Sequence, residues 1–340
     1  MKYRLLGSTG VLVSPVSLGT MTFGGKGHPI WGQFGAIDQA DADRLIGAAL
    51  ETGINFIDTA DAYSNGESEE MLGRALGKRR EEIVLATKVH APTGTGPNDL
   101  GLSRLHIMRA LEDSLRRLGT DHIDLYQLHN FDHVTPLEET LRALDDAVRQ
   151  GKVRYIGCAN LAAWQVSQAL GISALHDHAA FVSNQVYYSL LARDAERDIL
   201  PMAQASGLAV TVWSPLAGGF LTGKIDRDTT AAEGRRATMT ADFPPVDREH
   251  AYAVIDVART VAGRHGATVP QVAIAWLLAR SAVTSVIIGA RKPEQVTANV
   301  AATDLHLTEQ DLAELDEVSK LTPAYPNWIQ EMHAPMRIPA

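Results

Sequence analysis

The stretch HIDLYQLHNFDHVTPLEETLRALDDAVRQGKVRYIGCAN, residues 122–160, contains a complete strand–helix–strand unit. Its two apolar runs, at 122–129 and 153–159, have the length and composition of buried strands. The helix between them is marked by Thr135, Pro136 and Glu138 at its start, by Leu141, Leu144 and Val148 as an apolar stripe, and by Gly151 at its end. Two strands joined in this way pack as parallel neighbours in one sheet.

The same alternation extends along the chain in both directions. The predicted strands are residues 16–20, 55–58, 83–87, 122–129, 153–159, 181–186, 208–214 and 285–289. Further helices are predicted from Asp38 to Gly53, after a capping-box pattern at Ser64 and Glu67, before Gly119, and near 161–170, 193–206, 249–264, 269–280, 293–300 and 309–320. Eight strands alternating with helices, without a Gly- or Ser-rich linker, predict an α/β fold. We expect a (β/α)8 TIM barrel as a single domain over residues 1–340.

Three regions lie outside this repeat. The opening residues around Ser8-Thr9-Gly10 predict a β-hairpin, which we expect to close the opposite end of the barrel. The segment 218–247, with Arg235 and Arg236, and the tail after Leu321 predict long cofactor or substrate loops, and whether they close over the ligand is left open.

Composition narrows the class of protein. The chain has 340 residues, 45% of them apolar, and 31 basic against 40 acidic residues give a net charge of −9. This balance gives no reason to expect nucleic acid or anionic lipid as a partner. No apolar run approaches the roughly 20 residues that span a bilayer, and the start MKYRLLGSTG has no secretory pattern. The single cysteine, Cys158, is expected to be an inert core residue. We expect a cytoplasmic protein and leave open whether it forms a homo-oligomer.

Four polar residues follow the first predicted strands: Asp58, Tyr63, Lys88 and His129. The carboxyl ends of barrel strands meet at one face, where such folds carry their chemistry. A lysine among apolar neighbours needs a carboxylate, which Asp58 supplies. An ammonium within about 4 to 6 Å favours a phenolate, whose ordinary pKa is about 10, so Tyr63 becomes a usable general acid for a carbonyl oxygen.

In this interpretation, His129 orients the carbonyl by a hydrogen bond. Each residue also has a structural explanation: an ion pair for Asp58 and Lys88, a packed aromatic for Tyr63 and a core histidine for His129. Their position at the same end of successive strands favours catalysis.

The later strand ends predict a cofactor site. Asn160 and Gln185 offer amides, Trp213 a stacking surface, and Ser214, Leu216 and Gly218 a loop for phosphates, with Arg291 and Lys292 near a later helix start. An amide that caps a turn, a packed tryptophan and a solvated basic helix start are the structural alternatives. The chain has no His-Glu-x-x-His and no cysteine pair, so no metal is expected. It also has no phosphate-binding loop and no Gly-rich dinucleotide fingerprint, so a reductive role needs a differently bound cofactor.

The chain resembles the aldo-keto reductase family over essentially its whole length. The matching stretches are GINFIDTADAYSNGESEEMLGRAL, IVLATKV, LYQLHN, GKVRYIGCAN, NQVYYSLL, WSPLAGGFLTGK and IIGARKPEQVTAN. The resemblance implies NADPH extended across the barrel face and reversible reduction of an aldehyde or ketone. It makes Tyr63 the proton donor, with Asp58 and Lys88 tuning it and His129 placing the carbonyl. The cofactor residues that we assign are Gly19, Thr20, Met21, Asp58, Asn160, Gln185, Trp213, Ser214, Leu216, Gly218, Lys224, Gly289, Arg291, Gln295 and Asn299.

Two departures from the family pattern concern the cofactor. Ala159-Asn160 stands where the family commonly has Ser-Asn, so one hydroxyl contact to the carboxamide is missing. The Gly-Ala-Arg segment ending at Arg291 resembles bacterial members and potassium-channel β subunits. Arg291 is the expected partner of a 2′-phosphate, which favours NADPH over NADH.

The substrate pocket is expected between Tyr63, His129 and the loop that carries Met21 and Trp31. The other walls are expected near Asn130, Phe131, Tyr325 and Trp328. These aromatics suit an apolar or aromatic carbonyl, or they pack together as a lid. Two other functions remain open: a cofactor-sensing regulatory module, and a barrel hydrolase or isomerase that would leave Lys88 and Tyr63 unexplained.

Overall fold

Eight parallel strands close into a barrel in the computed structural model, which describes residues 1–225, 227 and 243–336. The barrel strands are β3 (Val16–Gly19), β4 (Phe56–Asp58), β5 (Val84–Val89), β6 (Ile123–Leu128), β7 (Val153–Ala159), β8 (Phe181–Tyr187), β9 (Ala209–Trp213) and β10 (Val283–Gly289). Each strand pairs with the next along the chain, and β10 pairs with β3 to close the ring. The predicted (β/α)8 TIM barrel is therefore confirmed.

Helices surround the strands. Those of the described residues are α1 (Gln39–Glu51), α2 (Glu67–Leu76), α3 (Arg104–Leu118), α4 (Leu137–Arg149), α5 (Ala163–His176), α6 (Ile199–Ala205), α7 (Arg248–His265), α8 (Val269–Leu278), α9 (Pro293–Val300), α10 (Glu309–Val318) and α11 (Asn327–His333). Asp38 caps α1 by accepting a hydrogen bond from the Asp41 N–H, as its position predicts. The main hydrophobic core lies between these helices and the outer face of the barrel.

The N-terminal hairpin, β1 (Arg4–Leu5) and β2 (Leu12–Val13), is antiparallel and also confirmed. Leu6 and Val13 are fully buried against Phe56, Ala86 and other residues from the amino-terminal ends of the barrel strands. The hairpin thus closes one end of the barrel and leaves the carboxyl ends of the strands as its open end.

The capping-box prediction at Ser64 and Glu67 is wrong. A 3₁₀ turn, Tyr63–Gly66, precedes α2, and the residue before the first α2 residue is Gly66, in left-handed conformation. Ser64 itself has φ +52° and donates its hydroxyl to the Phe23 carbonyl, while Glu67 accepts from the Gly25 N–H. The two side chains therefore hold the preceding loop instead of capping the helix.

The long loops carry structure that the sequence pattern did not predict. A 3₁₀ segment, Ala217–Thr222, follows β9, and the tail contains α11. Arg235 and Arg236 lie outside the described residues.

Candidate active site

The four predicted catalytic residues lie together at the open end of the barrel. Lys88 Nζ donates to Asp58 Oδ2 at 2.6 Å and to the Thr59 carbonyl at 2.6 Å, and it lies 3.4 Å from the Tyr63 hydroxyl. Lys88 is fully buried, and Asp58 is 3% exposed. Parallel register puts Asp58 and Lys88 at the ends of neighbouring strands, since Asp58 pairs with Ala86, two residues before Lys88.

Burial by itself lowers the pKa of the Lys88 ammonium, but the Asp58 carboxylate and the Tyr63 hydroxyl more than offset this, so its pKa is raised. The lysine therefore stays positively charged at neutral pH. A fixed cation next to a phenol favours the negative charge that the phenol oxygen acquires when it gives up a proton.

Two buried glutamines hold Asp58 from the side away from Lys88. Gln127 Nε2 donates to Asp58 Oδ1 at 3.2 Å, and Gln185 Nε2 donates to the same oxygen at 2.8 Å. Sequence reasoning missed Gln127, although a polar residue two positions before His129 in an apolar strand was a usable signal. It assigned Gln185 to the cofactor amide, whereas the structure joins Gln185 to the carboxylate.

His129 lies edge-on to the Tyr63 ring, with ring centroids 5.7 Å apart. Burial, and then the Lys88 and His90 charges, hold the pKa of His129 well below its usual range, so the ring is neutral at pH 7. Its Nδ1 is buried and has no hydrogen-bond partner among the residues that the structure describes. His90 was missed by sequence reasoning: it lies two residues after Lys88, just beyond the end of β5.

Asn160 joins His129 to Trp213 at the barrel mouth. Its Nδ2 donates to the His129 carbonyl at 3.0 Å, and its Oδ1 accepts from Trp213 Nε1 at 3.0 Å. A side-chain amide has two N–H groups and two oxygen lone pairs, and Asn160 is exposed. One donor and one acceptor position therefore remain for a ligand.

The Trp213 ring stacks on Tyr187, with centroids 4.8 Å apart, and on Phe243, with centroids 5.9 Å apart. Tyr187 is its neighbour in the β8–β9 register. The predicted stacking surface is therefore built from three aromatic rings rather than from one tryptophan.

The predicted phosphate loop has an unusual backbone. Positive φ values occur at Ser214, Ala217, Gly218 and Gly219. The Gly218 N–H donates to Ser214 Oγ, and the Gly219 N–H donates to the Leu216 carbonyl. These bonds give the loop its shape, and the first of them uses the N–H of Gly218, a residue that the sequence assigned to the phosphates. Lys224, just beyond the loop, is exposed.

The predicted adenosine residues lie at the start of α9. Gln295 Oε1 accepts from the Arg291 and Lys292 N–H groups, so this side chain caps the helix. Within the described residues, Arg291 forms no ion pair with a carboxylate. Gly289 is exposed and Asn299 is 9% exposed.

Residues at the end of β3 mostly pack inside the protein. Thr20 is fully buried and its hydroxyl lies 2.9 Å from Ser68 Oγ. A Cβ at Gly19 would lie 2.8 Å from Ile287 Cγ2. Close packing thus surrounds Gly19 and the Thr20 side chain, and their cofactor contact stays a prediction. Met21 is half-buried at the beginning of the loop.

A cavity of about 780 Å³ adjoins this end of the barrel. Its walls include Asn160, Tyr187 and Ile199, and the tail contributes Tyr325 and Gln330. The tail is attached there by Asn327 Nδ2, which donates to the Arg197 carbonyl at 2.8 Å. Of the two predicted tail aromatics, Tyr325 lines the cavity and Trp328 does not.

Asp61 is an unpaired buried acid behind the catalytic residues. It is 1% exposed, and neither carboxyl oxygen has a hydrogen-bond partner in the described structure. Burial and the nearby Glu69 carboxylate raise the pKa of Asp61 well above its usual value, against the opposing charges of Arg117 and Lys88. The folded protein therefore holds a proton here that the unfolded chain releases near pH 4.

Asp61→Asn should consequently stabilise the protein more at high pH than at low pH. A group with a raised folded pKa destabilises the fold as pH rises above its unfolded pKa, and the amide removes that dependence. We expect the melting temperature of the variant to exceed that of the parent by about 2 °C or more at pH 8, with the gap closing towards pH 4. Melting curves that keep a constant separation from pH 4 to pH 8 would show that Asp61 does not titrate in this way.

The described ranges contain neither a metal-ligand cluster nor a membrane-spanning helix. No three His, Cys, Asp or Glu residues among them are arranged to hold one metal ion. Likewise, no helix in this part of the chain has the length and hydrophobicity needed to cross a bilayer. Cys158 is buried, with its Sγ 3.7 Å from the Ser183 carbonyl, and burial raises the pKa of its thiol.

Comparison with known proteins agrees with the fold and with the geometry of the site. The sequence profile of the Aldo/keto reductase family matches residues 15–320. The chain is 39% identical to an uncharacterized oxidoreductase of Bacillus subtilis (94% of this chain, 96% of the relative). It is 37% identical to a putative voltage-gated potassium channel subunit beta of Schizosaccharomyces pombe (94% of each). It is 36% identical to versiconal hemiacetal acetate reductase of Aspergillus parasiticus (93% and 96%). The barrel, the site at its open end and these similarities together show that this chain belongs to the aldo/keto reductase family.

Proposed function

We propose that this protein reduces an aldehyde or ketone to the alcohol, reversibly, with NADPH as the preferred reductant and Tyr63 as the proton donor. The observation that carries the proposal is the position of Lys88 Nζ, 2.6 Å from the Asp58 carboxylate and 3.4 Å from the Tyr63 hydroxyl. A structural ion pair does not need a phenol beside its cation. A site that protonates a carbonyl oxygen does.

Each side chain of the site has its own role in the proposed reaction. A bound reduced nicotinamide would supply the hydride to the carbonyl carbon. Tyr63 gives its hydroxyl proton to the carbonyl oxygen, and the Lys88 ammonium stabilises the phenolate that remains. Asp58, held by Gln127 and Gln185, keeps the ammonium in place. Neutral His129, beside Tyr63, donates a hydrogen bond to the carbonyl.

The residues present fit an extended dinucleotide phosphate. Asn160 keeps one donor and one acceptor for the carboxamide, and Trp213 with Tyr187 offers flat aromatic surface nearby. The Ser214–Gly219 backbone supplies a curved loop, which with exposed Lys224 suits the pyrophosphate. Arg291, without a carboxylate partner among the described residues, suits a 2′-phosphate. NADH remains the less favoured alternative.

The direct test is loss of the reduced-nicotinamide absorbance when purified protein is mixed with NADPH and a panel of aldehydes. Aromatic and apolar aldehydes should be turned over, because the Trp31 and His129 rings flank the proposed proton donor Tyr63. Absence of turnover with every aldehyde and ketone tested, while NADPH still binds, would reject the reductase and leave the regulatory alternative.

Arg291→Ala should weaken NADPH binding about 10- to 100-fold and NADH binding less than about 3-fold. A charge-assisted contact to phosphate contributes about 1.5–3 kcal/mol, and only NADPH carries the 2′-phosphate. Fluorescence titration gives both dissociation constants. Lys320→Ala, which removes an equal charge from the exposed Lys320 near the tail, is the control. Equal weakening of the two cofactors in Arg291→Ala would contradict the contact.

The second candidate function is a cofactor-sensing regulatory subunit. It is favoured by the similarity to the protein of Schizosaccharomyces pombe named as a putative channel subunit. The two functions differ in turnover: a sensor needs the cofactor site, whereas only a reductase needs the proton donor. The complete set of Asp58, Tyr63, Lys88 and His129 at one site favours the reductase.

A further inference from the structure

The loop after β3, residues 20–37, is fastened to the turn that carries Tyr63. Ser64 Oγ donates to the Phe23 carbonyl at 2.8 Å, and the Gly25 N–H donates to Glu67 Oε2 at 2.7 Å. A Cβ at Gly25 would lie 2.7 Å from Trp31 Cβ and 2.9 Å from Ser64 Oγ, so the loop and the turn are in close contact. The two segments therefore hold each other in place.

The backbone of this turn has an energetically unfavourable conformation. Ser64, Asn65 and Gly66 are all left-handed, with φ values of 52°, 57° and 92°. Left-handed conformation costs about 1–2 kcal/mol for a residue with a side chain, and asparagine is among the residues that tolerate it best. The contacts with the loop offset this cost and fix the direction in which Asn65 points.

Asn65 connects this turn to the aromatic wall of the site. Its Oδ1 accepts from Trp31 Nε1 at 3.3 Å, and the Trp31 ring lies edge-on to the Tyr63 ring, with centroids 5.8 Å apart. Tyr63 thus has Trp31 as one neighbouring ring and His129 as another. A carbonyl that reaches the Tyr63 hydroxyl must place its two substituents among these rings.

We propose that Asn65 is a positioning residue that holds the Trp31 indole beside Tyr63, and that Trp31 so held limits the substrate to carbonyls with one small substituent. Aldehydes then react in preference to ketones that carry two larger groups. The role of Asn65 rests on its contact with Trp31 in the structure, and the substrate preference rests on the proposed reductase activity.

Two replacements of Asn65 separate the hydrogen bond from the backbone. Asn65→Asp keeps an oxygen acceptor on a residue that tolerates positive φ. Asn65→Gly adopts the same left-handed backbone conformation without steric cost and removes the acceptor. Trp31→Phe removes the indole N–H and keeps an aromatic ring. The three variants are designed to fold, and retained NADPH affinity checks this.

The first readout does not depend on activity. The chain has five tryptophans, and the indole N–H resonance of Trp31 is identified by its loss in Trp31→Phe. We expect this resonance to shift and its exchange with water to become at least about 3-fold faster in Asn65→Gly, since a hydrogen bond of this kind contributes about 0.5–1.5 kcal/mol. It should stay close to the parent position in Asn65→Asp. An unchanged resonance in Asn65→Gly would overturn the positioning role.

The second readout is the ratio of kcat/KM for benzaldehyde to that for ethyl phenyl ketone. Asn65→Gly should lower this ratio about 3- to 10-fold, with Asn65→Asp within about 2-fold of the parent and NADPH affinity unchanged in both. Equal ratios in the two variants would overturn the link between Trp31 and specificity. If the parent reduces neither compound, the reductase proposal and the specificity claim fail, while the indole resonance still decides the role of Asn65.

Discussion

Tyr63→Phe lowers the turnover number for aldehyde reduction by about 10² to 10⁴-fold while NADPH binding stays within about 2-fold of the parent. The expected loss is the contribution of a well-placed general acid, because phenylalanine keeps the ring beside Trp31 and His129 and removes only the proton. The measurement is single-turnover reduction of an aromatic aldehyde at saturating NADPH, followed by nicotinamide absorbance.

The matched control for this change is Tyr126→Phe. Tyr126 is fully buried in β6, and its hydroxyl has no hydrogen-bond partner in the described structure. The same hydroxyl deletion there should leave turnover within about 3-fold of the parent, since nothing places Tyr126 in the reaction. Turnover of Tyr63→Phe equal to that of Tyr126→Phe would remove Tyr63 from the mechanism.

Lys88→Met combines a loss of turnover with a loss of stability. Removing the cation leaves the Asp58 carboxylate buried and unpaired, which costs about 3–5 kcal/mol of unfolding free energy. Because folded proteins have about 5–15 kcal/mol to lose, the variant should remain folded at 25 °C. We also expect at least about 100-fold slower turnover, because the phenolate of Tyr63 loses the charge that stabilises it. Urea unfolding and single-turnover kinetics measure the two effects separately.

Asp58→Asn with Lys88→Met tests the origin of the stability loss. An amide at position 58 still accepts from Gln127 and Gln185 and carries no charge, so most of the lost unfolding free energy should return. A double variant as unstable as Lys88→Met would show that the cost lies in packing around the side chain at 88.

The strand pattern was predictable because burial on both faces of a parallel strand leaves a clear apolar run. The segment 153–159 agrees with β7 at both ends, and 122–129 exceeds β6 by one residue at each end. The position of Asp58 and Lys88 followed from the same pattern, because parallel register brings successive strand ends together.

The turn after Tyr63 was not predictable from local signals. Ser64 and Glu67 have the spacing of a capping box, but their partners, Phe23 and Gly25, are about 40 residues earlier in the chain. Tertiary hydrogen bonds therefore decided the conformation over the local pattern. The same holds for Gln185, whose amide finds Asp58 across the barrel.

Three residues near the site were missed by sequence reasoning for a different reason. Gln127 holds Asp58 by a hydrogen bond, His90 contributes to the lowered pKa of His129, and Asp61 is a buried acid behind the site; no motif names such residues. Lys88 and Gln127 are partners in the β5–β6 register and both contact Asp58, while His90 and His129 each follow two residues later, which is a spacing that sequence reading can use.

The account depends most on the claim that the buried Lys88–Asp58 pair serves the phenol of Tyr63 and is more than a structural ion pair. The direct test is single-turnover aldehyde reduction by the Asp58→Asn/Lys88→Met double variant, at saturating NADPH and with cofactor binding verified. We predict a protein that is close to the parent in stability but reduces the aldehyde at least about 100-fold more slowly. A double variant that regains turnover within about 3-fold of the parent would contradict the account.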